Sequence, residues 1–147
     1  MAIQKDRDFI FVSKGTVMIE GVTFSFIIGT RRFMFVFPYE NIAGAGNVVE
    51  TNKYTIGGKK PQEFFAELIT DPDLTVEKFE EIVREKMASV QLSEDKYLFE
   101  LAKLEEFNIK MGFLSKGIYL KRLGQSRVGI GVSGKEDILK AKEFYGK

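Results

Sequence analysis

The segment that comes closest to a chemical motif lies near the C-terminus, where residues 129–135, Gly-Ile-Gly-Val-Ser-Gly-Lys, fit the pattern Gly-x4-Gly-Lys. In a phosphate-binding loop of this pattern, backbone N–H groups and the lysine hold the phosphates, and a following Ser or Thr binds Mg²⁺. Here Glu136 follows the lysine and would place a carboxylate against the phosphates, which argues against a nucleotide-hydrolysing enzyme. What remains is the hypothesis of a phosphate-ligand site on Gly131, Ser133, Gly134 and Lys135.

The same turn also has a purely structural interpretation. Ser133 and Glu136 fit a Ser-x-x-Glu capping box, in which both side chains accept hydrogen bonds from N–H groups at a helix start. This predicts a helix over residues 135–145. The two interpretations differ in their tests: Lys135→Ala would abolish binding at a ligand site, whereas Ser133→Ala would cost a capped helix about 1 kcal/mol.

A second candidate site is the basic stretch between Glu106 and Glu136, which contains no acidic residue. Its charges alternate with Phe113 and Tyr119, and strands of this kind can bind single-stranded nucleic acid by stacking and phosphate contacts. A pI near 7.8 is low for a dedicated nucleic-acid-binding protein. The alternative is that this face complements the acidic helical segment of the same molecule or of a partner copy. The predicted binding residues are Lys116, Lys121, Arg122 and Arg127.

The composition excludes several kinds of catalysis. The 147 residues include no Cys and no His, so thiolate nucleophiles, histidine bases and the usual zinc ligands are all missing. Sequence-adjacent carboxylates such as Glu80 and Glu81 point about 100° apart on a helix and do not converge on one atom. Residues 71–75 resemble the start of a calcium loop, but Val76 and Ile82 replace its glycine and its closing glutamate. We therefore expect no catalytic residue, metal or cofactor, and an enzyme is the less favoured class.

The net charge of +1 is unevenly distributed along the chain. Residues 1–60 carry 8 basic and 5 acidic side chains (+3), residues 61–107 carry 5 and 13 (−8), and residues 108–147 carry 9 and 3 (+6). A chain of this length fits one domain. We predict a single α+β domain with a β-rich segment at 1–57, a helical segment at 61–107, and a β-rich segment with a closing helix at 108–147.

The first segment predicts four or five strands. The dipeptide Lys14-Gly15 separates two apolar runs and predicts a hairpin turn. The run Phe33-Met-Phe-Val-Phe37 is apolar on both faces, which is typical of a central strand covered on both sides. Pro38 is expected to end that strand. The remaining predicted strands lie at residues 22–28 and 48–56.

The other two segments predict helices followed by strands. Pro61 is tolerated in a first helical turn, and Thr75 and Ser93 are candidate N-caps, so three helices are expected. The third should place Tyr97, Leu101 and Leu104 on one stripe. Three short strands are then predicted at residues 108–114, 117–123 and 127–132.

Together these elements predict a curved antiparallel sheet or small barrel, with the three-helix segment inserted before the last strands and a helix at the C-terminus. Short β-hairpins followed by a C-terminal amphipathic helix resemble a pleckstrin-homology-type module. The resemblance is one of architecture, and the inserted helices depart from it. It assigns no function to any residue.

The leading functional hypothesis is a non-catalytic binding or interaction module whose partner is another protein or a second copy of the chain, with nucleic acid as a weaker alternative. A phosphate-ligand-binding protein or enzyme that uses the turn at 129–136 is one alternative, and a self-associating structural subunit is another. The first eight residues are polar, and no apolar run approaches the ~18 residues that span a bilayer. We therefore expect a soluble, cytoplasmic protein without integral membrane contact.

Overall fold

The computed structural model describes residues 2–42, 48–50, 55–112 and 116–147. The strands in these residues are β1 (Phe9–Met18), β2 (Val22–Thr30), β3 (Phe33–Ile42), β4 (Val48–Glu50), β5 (Leu98–Glu100), β6 (Leu104–Met111), β7 (Lys116–Arg122) and β8 (Val128–Val132). The helices are α1 (Pro61–Leu68), α2 (Val76–Ser89), α3 (Glu94–Tyr97) and α4 (Lys135–Tyr145), with a 3₁₀ turn at Leu101–Lys103.

The strands form one antiparallel sheet in the order β4-β3-β2-β1-β8-β7-β6. The short strand β5 pairs with the start of β3, and β4 pairs with the end of β3. Because β5 leads through the 3₁₀ turn directly into β6, the sheet curves until it nearly closes as a barrel. The predicted α+β class, the curved antiparallel sheet, the helices before the last strands and the C-terminal helix are confirmed. The strand order itself was beyond the sequence, because β1 pairs with β8 across more than a hundred residues.

The strand β3 and the neighbouring residues 9–12 of β1 and 26–30 of β2 are covered on both faces, as predicted for β3. Every residue from Phe33 to Tyr39 is buried. On one face α1 and α2 contribute Phe65 and Phe79, and the Phe65 ring lies 5.2 Å from that of Phe37. The other face packs inside the barrel, which α4 closes with Ile138, Ala141 and Phe144.

The hairpin predicted at Lys14-Gly15 is wrong. The strand β1 runs through these residues with a bulge between Val12 and Gly15, and the turn lies at residues 19–21. Gly15 allows close packing instead of a turn, since a Cβ there would lie 2.8 Å from Ile130 Cγ2. Gly21, with φ of +113°, supplies the conformation that the actual turn needs.

Pro38 does not end its strand, which continues to Ile42. The proline pairs with Ser25 at a register shift in the β2–β3 ladder, where the N–H that it lacks is tolerated. The strand predicted at 48–56 is present as β4 over its first three residues, and residues 51–54 lie outside the described part of the chain.

The first two helices of the middle segment agree with the sequence, but the third does not. The Thr75 side chain caps α2 by accepting a hydrogen bond from Lys78 N at 3.1 Å, as predicted. Ser93 occupies the N-cap position of α3 without a capping side-chain bond. That helix ends at Tyr97 because the next residues pair with β3 as β5, so strand pairing overrides the helical spacing of Leu101 and Leu104.

The last three strands lie near their predicted positions. The strand predicted at 108–114 begins four residues earlier, at Leu104, because β6 pairs along β7 as far as Arg122. Residues 113–115 lie outside the described residues. The strands predicted at 117–123 and 127–132 differ from β7 and β8 by one residue at each shifted end, and α4 has the predicted bounds.

Candidate functional site

The outward face of β6, β7 and β8, together with the end of β1 and the start of β2, is largely exposed, while the inward face of these strands is buried. Directly opposite residues on antiparallel strands point to the same face, so the pairings identify the outward set. We call this set the open face: Thr16, Met18, Val22, Phe24, Asn108, Lys110, Gly117, Tyr119, Lys121, Gly129 and Gly131. Their inward neighbours, such as Ile118 and Ile130, belong to the core.

The backbone in the middle of the open face is exposed at Gly131, whereas the Tyr119 ring covers it at Gly129. In β8 both outward positions are glycines, Gly129 and Gly131, while Ile130 and Val132 point inward and are buried. The ring of Tyr119 lies against the first of these glycines, since a Cβ on Gly129 would be 3.3 Å from the ring. Beside Gly131 the nearest atoms are those of Thr16, 3.7 Å from an ideal Cβ. Glycines inside a strand often mark a place where another molecule approaches the backbone closely.

One edge of the open face is apolar. The Met18 side chain is 70% exposed and Val22 is 37% exposed. The turn after β7 carries Leu123, which is 78% exposed. Because β1 and β8 are antiparallel and pair Val17 with Ile130, this turn and the β1–β2 turn lie at the same end of the sheet. Three of the five exposed large hydrophobic residues in the described part of the chain are therefore at that end.

The cations on and beside the open face are largely paired within the molecule. Lys121 forms an ion pair with Glu105, and Arg127 Nη2 lies 2.8 Å from Glu106 Oε1. The Arg127 hydrogen bond holds the pKa of the Glu106 carboxyl below its usual value. The ammonium of Lys110 lies 5.3 Å from the Tyr119 ring centroid. Lys121 and Arg127 thus pair with two carboxylates of the same chain that lie within the predicted helical segment 61–107 but belong to the strand β6.

The four predicted basic residues do not form one group. Lys121 and Arg127 lie on or beside the open face, and Lys116 begins β7 at the end opposite Arg122. Arg122 turns away from the open face: its Nη2 donates to the Leu98 carbonyl at 2.8 Å, and its guanidinium lies 3.9 Å from the Phe99 ring centroid.

The turn before α4 differs from both sequence interpretations. Residues 129–132 belong to β8, so only Ser133 and Gly134 connect the strand to the helix and no phosphate-binding loop is formed there. The N-cap is Gly134, without a side-chain capping bond, so the predicted capping box is wrong. The helix begins one residue later than that box requires. Lys135 is exposed, and the first turn carries Glu136 and Asp137, whose charges oppose a bound anion.

Arg122 lines a cleft on another part of the surface, which we call the seam cleft. It has a volume of about 510 Å³ and lies where β5 passes into β6, next to α2, α3 and the turn after β7. Burial lowers the pKa of the Arg122 guanidinium, and the charge of Asp95 opposes that shift. Of the predicted site residues, this cleft includes Arg122 alone.

Residues of the open face that the sequence analysis missed are Met18, Val22, Phe24 and Gly129. The alternation Val128-Gly-Ile-Gly-Val132 was a usable signal, because a strand of period two with glycine at every other position has no side chains on one face. Among the described residues, no three acidic side chains are grouped to hold a metal ion. In the same residues, no helix has the length and apolar character needed to cross a bilayer.

A comparison with protein-family models finds no match, and searches of curated proteins and solved structures find no significant match. The function is therefore inferred from the geometry and chemistry of the open face and the seam cleft.

Proposed function

We propose that this protein is a non-catalytic interaction module that binds another protein through the open face. The observation that supports this most directly is the exposure of Met18 and Val22 beside the two outward glycines of β8. Each exposed apolar side chain gains roughly 25 cal/mol for every Å² that a partner covers. Gly131, which is exposed, allows that partner to approach the sheet backbone.

The charges favour a protein over a nucleic acid. Lys121 and Arg127 already pair with Glu105 and Glu106, and these carboxylates would repel phosphate groups. A central aromatic ring with methionine beside it and a charged rim is instead the composition of a protein interface. Tyr119, flanked by Lys110 and Arg127, would supply the central ring.

Other ion pairs within the molecule argue against an assembly in which the acidic helices of one copy contact the basic strands of another. On α2, Arg84 pairs with Glu94 at 2.7 Å, and the buried Glu80 pairs with Arg32 at 2.6 Å. Many of the charges that such an assembly would use are thus compensated inside one molecule. A second copy that covers the open face through its apolar edge remains an outcome that the experiment must separate.

The test compares two methionine substitutions. Met18→Glu places a charge on the open face, whereas Met111→Glu places the same charge on an exposed methionine at the far end of β6, on the face of the buried Ile109. Proteins captured from native extract with the wild-type chain are purified, and their affinities for both variants are measured. We expect Met18→Glu to weaken binding about tenfold or more and Met111→Glu to leave it unchanged.

Equal loss in both variants, or no loss in either, would refute the open face as the site. Light scattering of the isolated chain gives the oligomeric state, and a dimer broken by Met18→Glu would replace the heterologous partner with a second copy. Tighter binding of a short single-stranded oligonucleotide than of any captured protein would overturn the choice of a protein partner.

A further inference from the structure

The seam cleft has the size of a small-molecule site and a wall that is apolar at its base. Its volume of about 510 Å³ lies in the range of ligand pockets. Phe33 and Leu98 are nearly buried at its base, and Leu104 is half-buried beside them. Because Phe33 and Leu98 are themselves nearly buried, Leu104 provides most of the apolar surface that an aliphatic group of a few carbons could cover.

Arg122 presents hydrogen-bond donors in this cleft that no described residue uses. A guanidinium has five N–H donors in a planar fork. In the described residues one of these donors, on Nη2, is hydrogen-bonded to the Leu98 carbonyl. The central carbon of the guanidinium lies 3.9 Å from the Phe99 ring centroid. Arg122 forms no ion pair with a described carboxylate. A fixed, partly desolvated guanidinium of this kind is suited to bind a carboxylate.

Among the other charged residues of the cleft wall, Asp95 alone has no ion-pair partner in the described part of the chain. Arg84 holds Glu94 through two hydrogen bonds of 2.9 and 2.7 Å, and Lys103 Nζ lies 3.2 Å from Glu100 Oε2. In each of these two pairs the charges of the two side chains compensate each other. Asp95 also lines the cleft and has no ion-pair partner among the described residues. The cleft thus offers one cation and one anion that interact electrostatically without forming an ion pair.

We propose that the seam cleft binds a small zwitterion of the amino-acid class. Its carboxylate pairs with Arg122, its ammonium is oriented towards Asp95, and an aliphatic side chain packs on Leu104. A multiply charged anion such as phosphate is disfavoured by the Asp95 carboxylate. This site does not depend on the open face, so either proposal can fail without the other.

The competing explanation is that Arg122 only braces β7 against β5 through the Leu98 carbonyl. A brace would make Arg122 important for stability and irrelevant to any ligand. A binding measurement on the folded wild-type protein separates the two explanations without a substitution.

The experiment is a titration followed by the backbone amide NMR signals of residues 98–104 and 122–125. Three matched probes are compared: L-leucine, 4-methylpentanoate, which lacks the ammonium, and 3-methylbutylamine, which lacks the carboxylate. We expect saturable shifts at these amides with L-leucine and affinities at least about tenfold lower with both analogues. Inorganic phosphate should leave the same amides unchanged.

Variants then assign the two charges. Arg122→Met should abolish L-leucine binding, while Arg127→Met, an arginine near the same turn that pairs with Glu106, should not change it. Asp95→Asn changes an exposed residue and is expected to fold normally even if Arg122→Met does not. It should remove the preference for L-leucine over 4-methylpentanoate. The proposal is overturned if L-leucine produces no saturable shift at millimolar concentration, if phosphate binds equally well, or if Asp95→Asn keeps the preference.

Discussion

The two halves of the sheet differ in how many of their faces are covered. In β3 and the neighbouring residues 9–12 of β1 and 26–30 of β2, helices pack on one face and the barrel interior fills the other, so nearly every side chain of β3 is buried. In β6, β7 and β8, only the inward face is covered, and the outward positions hold glycines, polar residues and one tyrosine. The comparison indicates that the part covered on both faces contributes most to stability, while the outward face of the other part is accessible to a partner.

The covered half also anchors two helices through buried polar groups. The Thr30 hydroxyl donates to Glu80 Oε2 on α2 at 2.6 Å, and the Thr30 carbonyl accepts from the Tyr145 hydroxyl on α4 at 2.9 Å. Arg32 pairs with the other oxygen of Glu80. The Thr30 and Glu80 side chains are buried and hydrogen-bonded to each other, while the Arg32 side chain is exposed, so these contacts hold α2 and α4 on the sheet.

The largest expected effect is a loss of stability from a truncated ring in the covered half. Phe65 is fully buried, and its ring centroid lies 5.2, 6.2 and 6.3 Å from those of Phe37, Phe26 and Phe79. Phe65→Ala should lower the free energy of unfolding by about 3–5 kcal/mol. Tyr119→Ala on the open face should cost less than about 1 kcal/mol. Urea denaturation measures both, and equal losses would break the comparison between the halves.

The next effect comes from a methyl group added at the contact between β2 and α4. A Cβ on Gly29 would lie 2.3 Å from the Tyr145 hydroxyl oxygen and 3.0 Å from Ile10 Cγ1. Gly29→Ala must displace that hydroxyl from the Thr30 carbonyl and should cost about 1–3 kcal/mol.

Removing the obstructing oxygen gives the control for this substitution. In the double variant Gly29→Ala/Tyr145→Phe, the loss should be smaller than the sum of the two single losses. Strict additivity in the double-mutant cycle would show that the two residues do not interact.

A smaller effect is expected at alkaline pH. Burial raises the pKa of Tyr145 above the ordinary tyrosine value of about 10. Above that value the unfolded chain releases the tyrosine proton while the folded protein retains it, so stability must fall as pH rises. The wild type should lose up to about 1.4 kcal/mol per pH unit relative to Tyr145→Phe. Parallel unfolding curves of the two proteins between neutral and strongly alkaline pH would contradict this.

The sequence could predict the covered half because burial leaves a clear pattern in it. Only a strand with both faces covered accommodates Phe33 to Phe37 without a polar residue, and the Thr75 cap follows from local chemistry. The Lys14-Gly15 dipeptide failed because glycine signals both turns and close packing. The contact that decided between them is with Ile130, which is distant in sequence.

The candidate sites were harder to predict because they depend on register. Lys121 and Arg122 are adjacent in sequence, yet one lies on the open face and the other lines the seam cleft. Their partners, Glu105 and the Leu98 carbonyl, are set by the β6–β7 ladder and by the pairing of β5 with β3. Sequence alone could place the cations on strands, and it could not show which of them are already paired.

The smallest expected effect on stability is from the same glycine-to-alanine change made on the open face. A Cβ on Gly131 would have Thr16 as its nearest neighbour at 3.7 Å, an ordinary contact. Gly131→Ala should therefore change the free energy of unfolding by no more than about 0.5 kcal/mol, and in the stabilising direction, since alanine restricts the unfolded chain. Gly29→Ala and Gly131→Ala thus separate a glycine required by packing from one that packing leaves free.

Gly131→Ala is informative because its effect on stability and its effect on partner binding should differ. If the exposed backbone at Gly131 admits a partner, the added methyl group should weaken partner binding while thermal unfolding is unchanged or slightly later. Titration calorimetry and a thermal scan of the same samples measure the two effects together. Loss of stability comparable to that of Gly29→Ala would mean that the open face is packed like the covered half. Unchanged binding would mean that the partner contacts the apolar edge at Met18 and Val22 without approaching the glycines.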